Sequence, residues 1–166
     1  DIAFVADTEG GLIALNVADP ADITLVDSIV GEDSVMNFDI EGDYLYAGEW
    51  KGGLSIYDIS DPTDLRRVSN IVELEGASYI GGATAVIVKD GYAIVNDIWG
   101  TFVVIDVSDP LDPQLDNDYP LNGGESWGMA LRGNTLYIAD SRGLCIWDAT
   151  DPANMSEIGK VDMGED

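Results

Sequence analysis

Leu54-Ser55-Ile56-Tyr57-Asp58-Ile59-Ser60-Asp61-Pro62 is one of four versions of the same phrase. The others run over residues 12–20, 102–110 and 144–152. Their prolines stand at 20, 62, 110 and 152, separated by 42, 48 and 42 residues. A near-fixed period in the low forties marks a repeat architecture. Within each phrase an apolar run precedes Asp-Pro. Proline lacks the N–H a ladder needs and Asp readily bonds nearby backbone, so the phrase reads as a strand followed by a hard stop.

Working outward, each phrase is flanked by further short apolar runs. The first copy has strands at 2–6, 12–17, 23–30 and 35–40, with Gly10-Gly11 turning the first hairpin. The second copy has 44–47, then the turn Glu49-Trp50-Lys51-Gly52-Gly53, then 54–59 and 65–72. The third copy has 92–95, 102–107 and 115–121, and the fourth has 136–139, 144–149 and 158–163. The six extra residues of the longer spacing fall within 73–82. Asp116, Asp118 and Pro120 suit an outer edge strand, because a central strand tolerates neither proline nor a run of acids. Val103-Val104-Ile105 is apolar without alternation, as expected of a strand covered on both faces.

Four-stranded units at this period are the blades of a β-propeller. The expected fold is therefore all-β, a propeller segment of four antiparallel repeats. Counting the innermost strand first, the chain opens on the second strand of its first blade, which then lacks its inner strand. The expected bounds are residues 1–33 for a partial first blade, then 34–82, 83–125 and 126–166. A piece of a larger propeller is expected ahead of a two-chain ring or an open arc, with the remaining blades in the same polypeptide or another chain.

With 7 basic and 32 acidic residues the net charge is −25, and there is no histidine. Such a field repels phosphate backbones and anionic surfaces, so no nucleic-acid partner is expected. No apolar run is long enough to span a membrane as a helix. The charge fits either an acidic surface suited to high salt or one bridged by Ca²⁺. Cys145 is the one cysteine, sits in an apolar run and reads as a small core hydrophobe.

Aligned on Asp-Pro, two acidic columns appear. Asn16, Asp58, Asp106 and Asp148 share an acceptor oxygen without sharing a charge. With Asp19, Asp61, Asp109 and Asp151 they read as structural turn residues that bond local amides. Asp7, Glu49, Asp97 and Asp140 close the second strands. Those turns belong to the same end of the blades as the connections between blades, which gathers Trp50, Tyr79, Trp99, Glu125 and Trp127 with them as a tentative binding face. Carboxylates beside aromatic rings suit cations, sugars or a peptide. The competing reading has the acids solvating turn tips while Trp127 and Trp99 pack in the core.

The EF-hand pattern is absent, and Asp112, Asp116 and Asp118 form only a loose acidic stretch as metal candidates. No cofactor is expected, Ca²⁺ being the one ion the composition invites. Without histidine, Ser-His-Asp and Cys-His catalysis are excluded within this chain, and zinc lacks its usual ligands. Paired-carboxylate glycan chemistry survives in principle.

Leu54 to Pro62 and Phe102 to Pro110, with the preceding Tyr-rich strand and Gly-Gly turn, resemble the motif of LVIVD-repeat proteins. That resemblance covers essentially the whole chain. It implies a β-propeller of bacterial or archaeal cell-surface or secreted proteins, and it implies no reaction. The functional expectation is a non-catalytic extracellular module for binding or structural assembly, with a protein or glycan ligand. A carboxylate-based glycan hydrolase or lyase and a Ca²⁺-dependent adhesive or assembly subunit stand as alternatives.

Overall fold

The computed structural model describes residues 1–7, 11–31, 33–72, 80–121 and 124–164. Tyr79 and most of the inserted stretch lie outside them. Four antiparallel sheets follow one another along the chain. The first has three strands, β1 (Ile2–Asp7), β2 (Gly11–Asn16) and β3 (Thr24–Val30). The second has β4 (Val35–Glu41), β5 (Tyr44–Glu49), β6 (Gly53–Asp58) and β7 (Arg66–Ile71). The third has β8 (Ala83–Lys89), β9 (Tyr92–Asp97), β10 (Thr101–Asp106) and β11 (Gln114–Pro120). The fourth has β12 (Ser126–Arg132), β13 (Thr135–Asp140), β14 (Gly143–Asp148) and β15 (Ser156–Asp162), with a short 3₁₀ turn at Pro152–Asn154. Each sheet is a meander, and β1 pairs as the second strand of its blade.

The stops between third and fourth strands are built as Asx turns. The side-chain oxygen of Asn16, Asp58, Asp106 or Asp148 accepts the N–H two residues on, at 3.0, 2.9, 2.9 and 2.9 Å. Asp19, Asp61, Asp109 and Asp151 repeat the device at 2.9, 2.9, 3.0 and 3.1 Å. Hydroxyls of Ser60, Ser108 and Thr150, with backbone N–H groups, hold Asp58, Asp106 and Asp148 below the usual carboxylate range. Neutral Asn16 makes the same backbone bond, so an acceptor is what the turn requires.

Alternation along the third strands assigns one face to the next blade and one to the preceding blade. Leu12 and Ala14 pack toward blade 2, Leu54 and Ile56 toward blade 3, and Phe102 and Val104 toward blade 4. Val103 and Ile105 pack back against blade 2, and Cys145 and Trp147 against blade 3. Phe102, Val103, Val104 and Ile105 are all fully buried, the outcome expected of the unalternating run. The core is thus three slabs between blades rather than a centre. On the end faces of the arc, Val5, Leu25 and Val161 are exposed, although their ladder positions match those of Ala47, Leu115 and Ile71, which are covered or partly covered inside. No described helix is long and apolar enough to cross a membrane.

The inner strands β4, β8 and β12 line an open cavity of about 480 Å³ on the axis side, with three residues contributed by each. Each carries a β-bulge at the same place, at Met36, Thr84 and Trp127. A bulge re-aims a side chain without losing register elsewhere.

Candidate functional site

The bulges open at the end of the blades where the second strands finish. Backbone bonds tie each hairpin tip to the entry of its own inner strand: Trp50 N to Ser34 O at 2.9 Å, Ile98 N to Gly82 O at 2.9 Å, and Ser141 N to Glu125 O at 2.7 Å. Ser126 N donates to Ile98 O at 3.2 Å, which couples blade 4 to the tip of blade 3. Gly53 takes a φ of 68°, and a side chain there would meet Ile71 O at 2.0 Å, so this turn admits only glycine.

A buried hydrogen-bonded triangle underlies the bulges. Asn96 Nδ2 donates to Thr84 Oγ1 at 2.7 Å, Thr84 Oγ1 reaches Ser126 O at 3.2 Å, and Ser126 Oγ donates to Asn96 Oδ1 at 2.8 Å. Asn96 and Ser126 are wholly buried and Thr84 nearly so. A satisfied buried network of this kind holds one arrangement. Trp127, aimed outward by its bulge, stacks on Trp50 of blade 2 with ring centroids 6.3 Å apart and planes 23° apart. Trp127 keeps 56% of its surface exposed and Trp99 keeps 71%. The core-packing alternative for these two tryptophans is therefore corrected: an unbulged strand would have turned Trp127 inward or outward by alternation alone, and Trp99 sits on a hairpin tip. Glu125, beside Trp127, is exposed.

The acidic column behaves differently from the turn-tip reading. Glu49 is 0% and Asp97 1% exposed. Asp7 and Asp140 are half-buried, and the side chain of Asp140 has no exposed surface. These residues pair with the first residue of the next strand, Gly11, Gly53, Thr101 and Gly143, and Glu49, Asp97 and Asp140 bond turn amides or neighbouring side chains there. Glu49 Oε1 accepts from Tyr57 Oη at 2.8 Å, and burial, then Glu49 itself, push the Tyr57 phenol well up. Asp140 Oδ1 accepts from Arg142 N at 2.9 Å and Gly143 N at 2.8 Å, while Oδ2 meets Cys145 Sγ and Lys160 Nζ, each at 3.4 Å. Burial works upward on Asp140 but is outweighed by these donors, so its carboxyl lies below the usual range. Asp97 Oδ1 accepts from Trp99 N at 2.7 Å. Desolvation outweighs that bond and a second from the Gly82 backbone, and the Asp97 carboxyl is pushed up.

Asp112 is engaged by Gln114 Nε2 at 2.9 Å, and Asp116 and Asp118 are exposed on the edge strand β11. Among the described residues no group of three His, Cys, Asp or Glu is placed to hold a metal ion. The Thr84–Asn96–Ser126 triangle was missed in the sequence, since nothing in those residue types distinguishes a buried network from ordinary strand polarity.

The fold matches solved structures across nearly the whole chain. A functionally unknown protein from Desulfotomaculum acetoxidans DSM 771 superposes with a TM-score of 0.76 at 14% identity, over 97% of this chain and 52% of that one. The computationally designed Ika4 protein gives 0.67 at 17% identity, over 89% and 84%. The designed Ika8 protein gives 0.68 at 16%, over 95% and 45%. The chain thus spans about half the length of two of these structures. No curated protein matches the sequence. The LVIVD repeat matches residues 1–30, 34–71, 80–120 and 123–163, and with all four blades accounted for the chain belongs to the LVIVD repeat family.

Proposed function

We propose that this chain is a non-catalytic, extracellular or cell-surface binding module whose ligand, a protein or a glycan, is met by the loop face. The observation that carries the reading is the Trp50–Trp127 pair, with Trp99 as a further exposed ring on a hairpin tip. Large aromatic surface left in water on a rigid support is the usual signature of a recognition surface. Here the support is the buried triangle beneath it. The address follows from the family resemblance rather than from any residue.

The test is to screen the full chain on glycan and peptide arrays, alongside a Trp50→Ala/Trp127→Ala double variant whose melting is checked. Retained signal in a folded double variant would count against the loop face as the recognition surface. The same glycans incubated with the wild-type chain are expected to show no new reducing ends or unsaturated products; their appearance would restore the hydrolase or lyase alternative.

A further inference from the structure

We propose that the inner strand β12 takes an extended, basic peptide segment as an added strand on its axis edge, inside the open cavity between the inner strands. The site is distinct in chemistry from the Trp50–Trp127 platform, since it uses backbone groups and not rings, and it does not rest on the loop-face reading.

The inner strands β8 and β12 pair with their neighbours in one register. Val86 and Met129 stand two residues past the bulge, and Val88 and Leu131 four residues past it. In an antiparallel ladder, alternate residues of an edge strand turn both backbone groups away from the partner strand. On β8 the outward N–H groups are met by side chains of the preceding blade: Asn37 Oδ1 accepts from Val86 N at 3.0 Å and Asp39 Oδ2 from Val88 N at 2.8 Å. The residues in those places on β8, which would serve β12, are Ala85 and Ile87. Neither carries an acceptor. Met129 N and Leu131 N are thus turned toward the axis, and no side chain among the described residues accepts from them.

There is room at this edge. Met129, Ala130 and Leu131 form one wall of the cavity of about 480 Å³, and Ala130 is exposed. The two N–H groups are two residues apart, about 7 Å, which is the spacing of the carbonyls along one edge of an extended chain. Asn37 and Asp39 already show what fits such donors, one carbonyl-like oxygen for each N–H at that pitch. The outward C=O groups of Met129 and Leu131 take N–H groups of the segment in return, so main-chain bonds hold it whatever its side chains. The net charge of −25 then selects among peptides. An acidic segment, including any from a second copy of this chain, is repelled, and a basic one is drawn in.

Amide exchange in the full chain gives the first check. Met129 and Leu131 are expected to exchange at least about tenfold faster than the capped Val86 and Val88, and equal protection overturns the proposal. The acetylated, amidated peptide Lys-Val-Thr-Val-Lys is then titrated by calorimetry and amide NMR at constant ionic strength. Saturable binding should shift and protect the Met129 and Leu131 amides. The same peptide N-methylated at every internal amide should not bind, and its analogue with glutamate for lysine should bind about tenfold more weakly. Ala85→Asn/Ile87→Asn transplants the blade 2 caps onto β8 without altering charge and should weaken the peptide about tenfold. Should that variant fail to fold, the amide shifts of the wild-type chain decide the matter alone. Equal binding of the N-methylated peptide, a response confined to Trp50 and Trp127, or maltohexaose binding at these amides where the peptide does not, overturns the proposal.

Discussion

The seam between blades 2 and 3 and the seam between blades 3 and 4 solve the same problem with a different balance of polar caps and aromatic rings. At the first, the inner strand β4 turns Asn37, Asp39 and Glu41 toward β8. Their oxygens accept the free N–H groups of Val86, Val88 and Gly91 at 3.0, 2.8 and 3.2 Å. At the second, the equivalent positions of β8 are Ala85, Ile87 and Lys89. Of these three, Lys89 alone makes a polar bond across, to Ala149 O at 2.8 Å. Along the rest of that seam rings take over from the Thr84–Asn96–Ser126 bonds: Phe102 stacks on Tyr119 at 4.9 Å, Trp147 meets both edge-on at 5.0 and 5.3 Å, and Tyr119 Oη accepts from Met155 N at 3.0 Å. Ring packing depends on buried area, whereas side-chain caps on backbone N–H groups fix position along the strand. One repeat can therefore stack on the next through either, provided the slab between them stays apolar.

The largest break in this comparison is expected from Trp147→Ala. Removing a buried ring on which two others lean should cost about 3–5 kcal/mol, read as a lower denaturant midpoint. Asp39→Ala strikes the other seam. Losing the cap on Val88 N should cost about 1–3 kcal/mol and speed hydrogen exchange at that amide, with little change at blade 4. If the two variants loosen the same amides, the seams are not independent units. Ser126→Ala removes one corner of the buried triangle and should cost about 1–2 kcal/mol, with Trp127 fluorescence reporting a looser platform.

The smallest expected effect is a change of slope. The folded-state pKa of Asp97 is raised by desolvation, so in the window above the ordinary carboxylate value the folded chain binds more protons than the unfolded one. Stability from this residue is present at low pH and declines as pH rises through that window. Asp58, Asp106, Asp140 and Asp148 are lowered, and their contribution is lost as pH falls through their folded values. Asp97→Asn should flatten the first trend, leave the second, and raise the melting temperature at neutral pH. A drop there instead would mean that the carboxylate is satisfied in the folded chain.

The blades, their order, the Asx turns and the doubly covered third strand were legible in the sequence because each depends on local chemistry repeated four times. Asp-Pro after an apolar run leaves a strand little choice, and Asn16 in place of aspartate revealed that an acceptor was wanted. The site was legible only as a neighbourhood. Composition argues that an acid at a hairpin is solvated, yet Glu49 and Asp97 are buried: Tyr57 and Gly82 supply donors from outside the hairpin tip, and Trp99 N–H supplies one from within it. The direction of Trp127 was equally hidden, because it depends on one unpaired residue in β12 that shows only in the pairing with β13.

That unpaired residue recurs in every described inner strand, as methionine, threonine and tryptophan in turn. A bulge residue has no ladder partner to satisfy: Met36 and Trp127 are exposed there, whereas Thr84 turns inward into the buried triangle. The same backbone irregularity thus points a side chain at solvent in two blades and into the seam in the third, without disturbing the register around it.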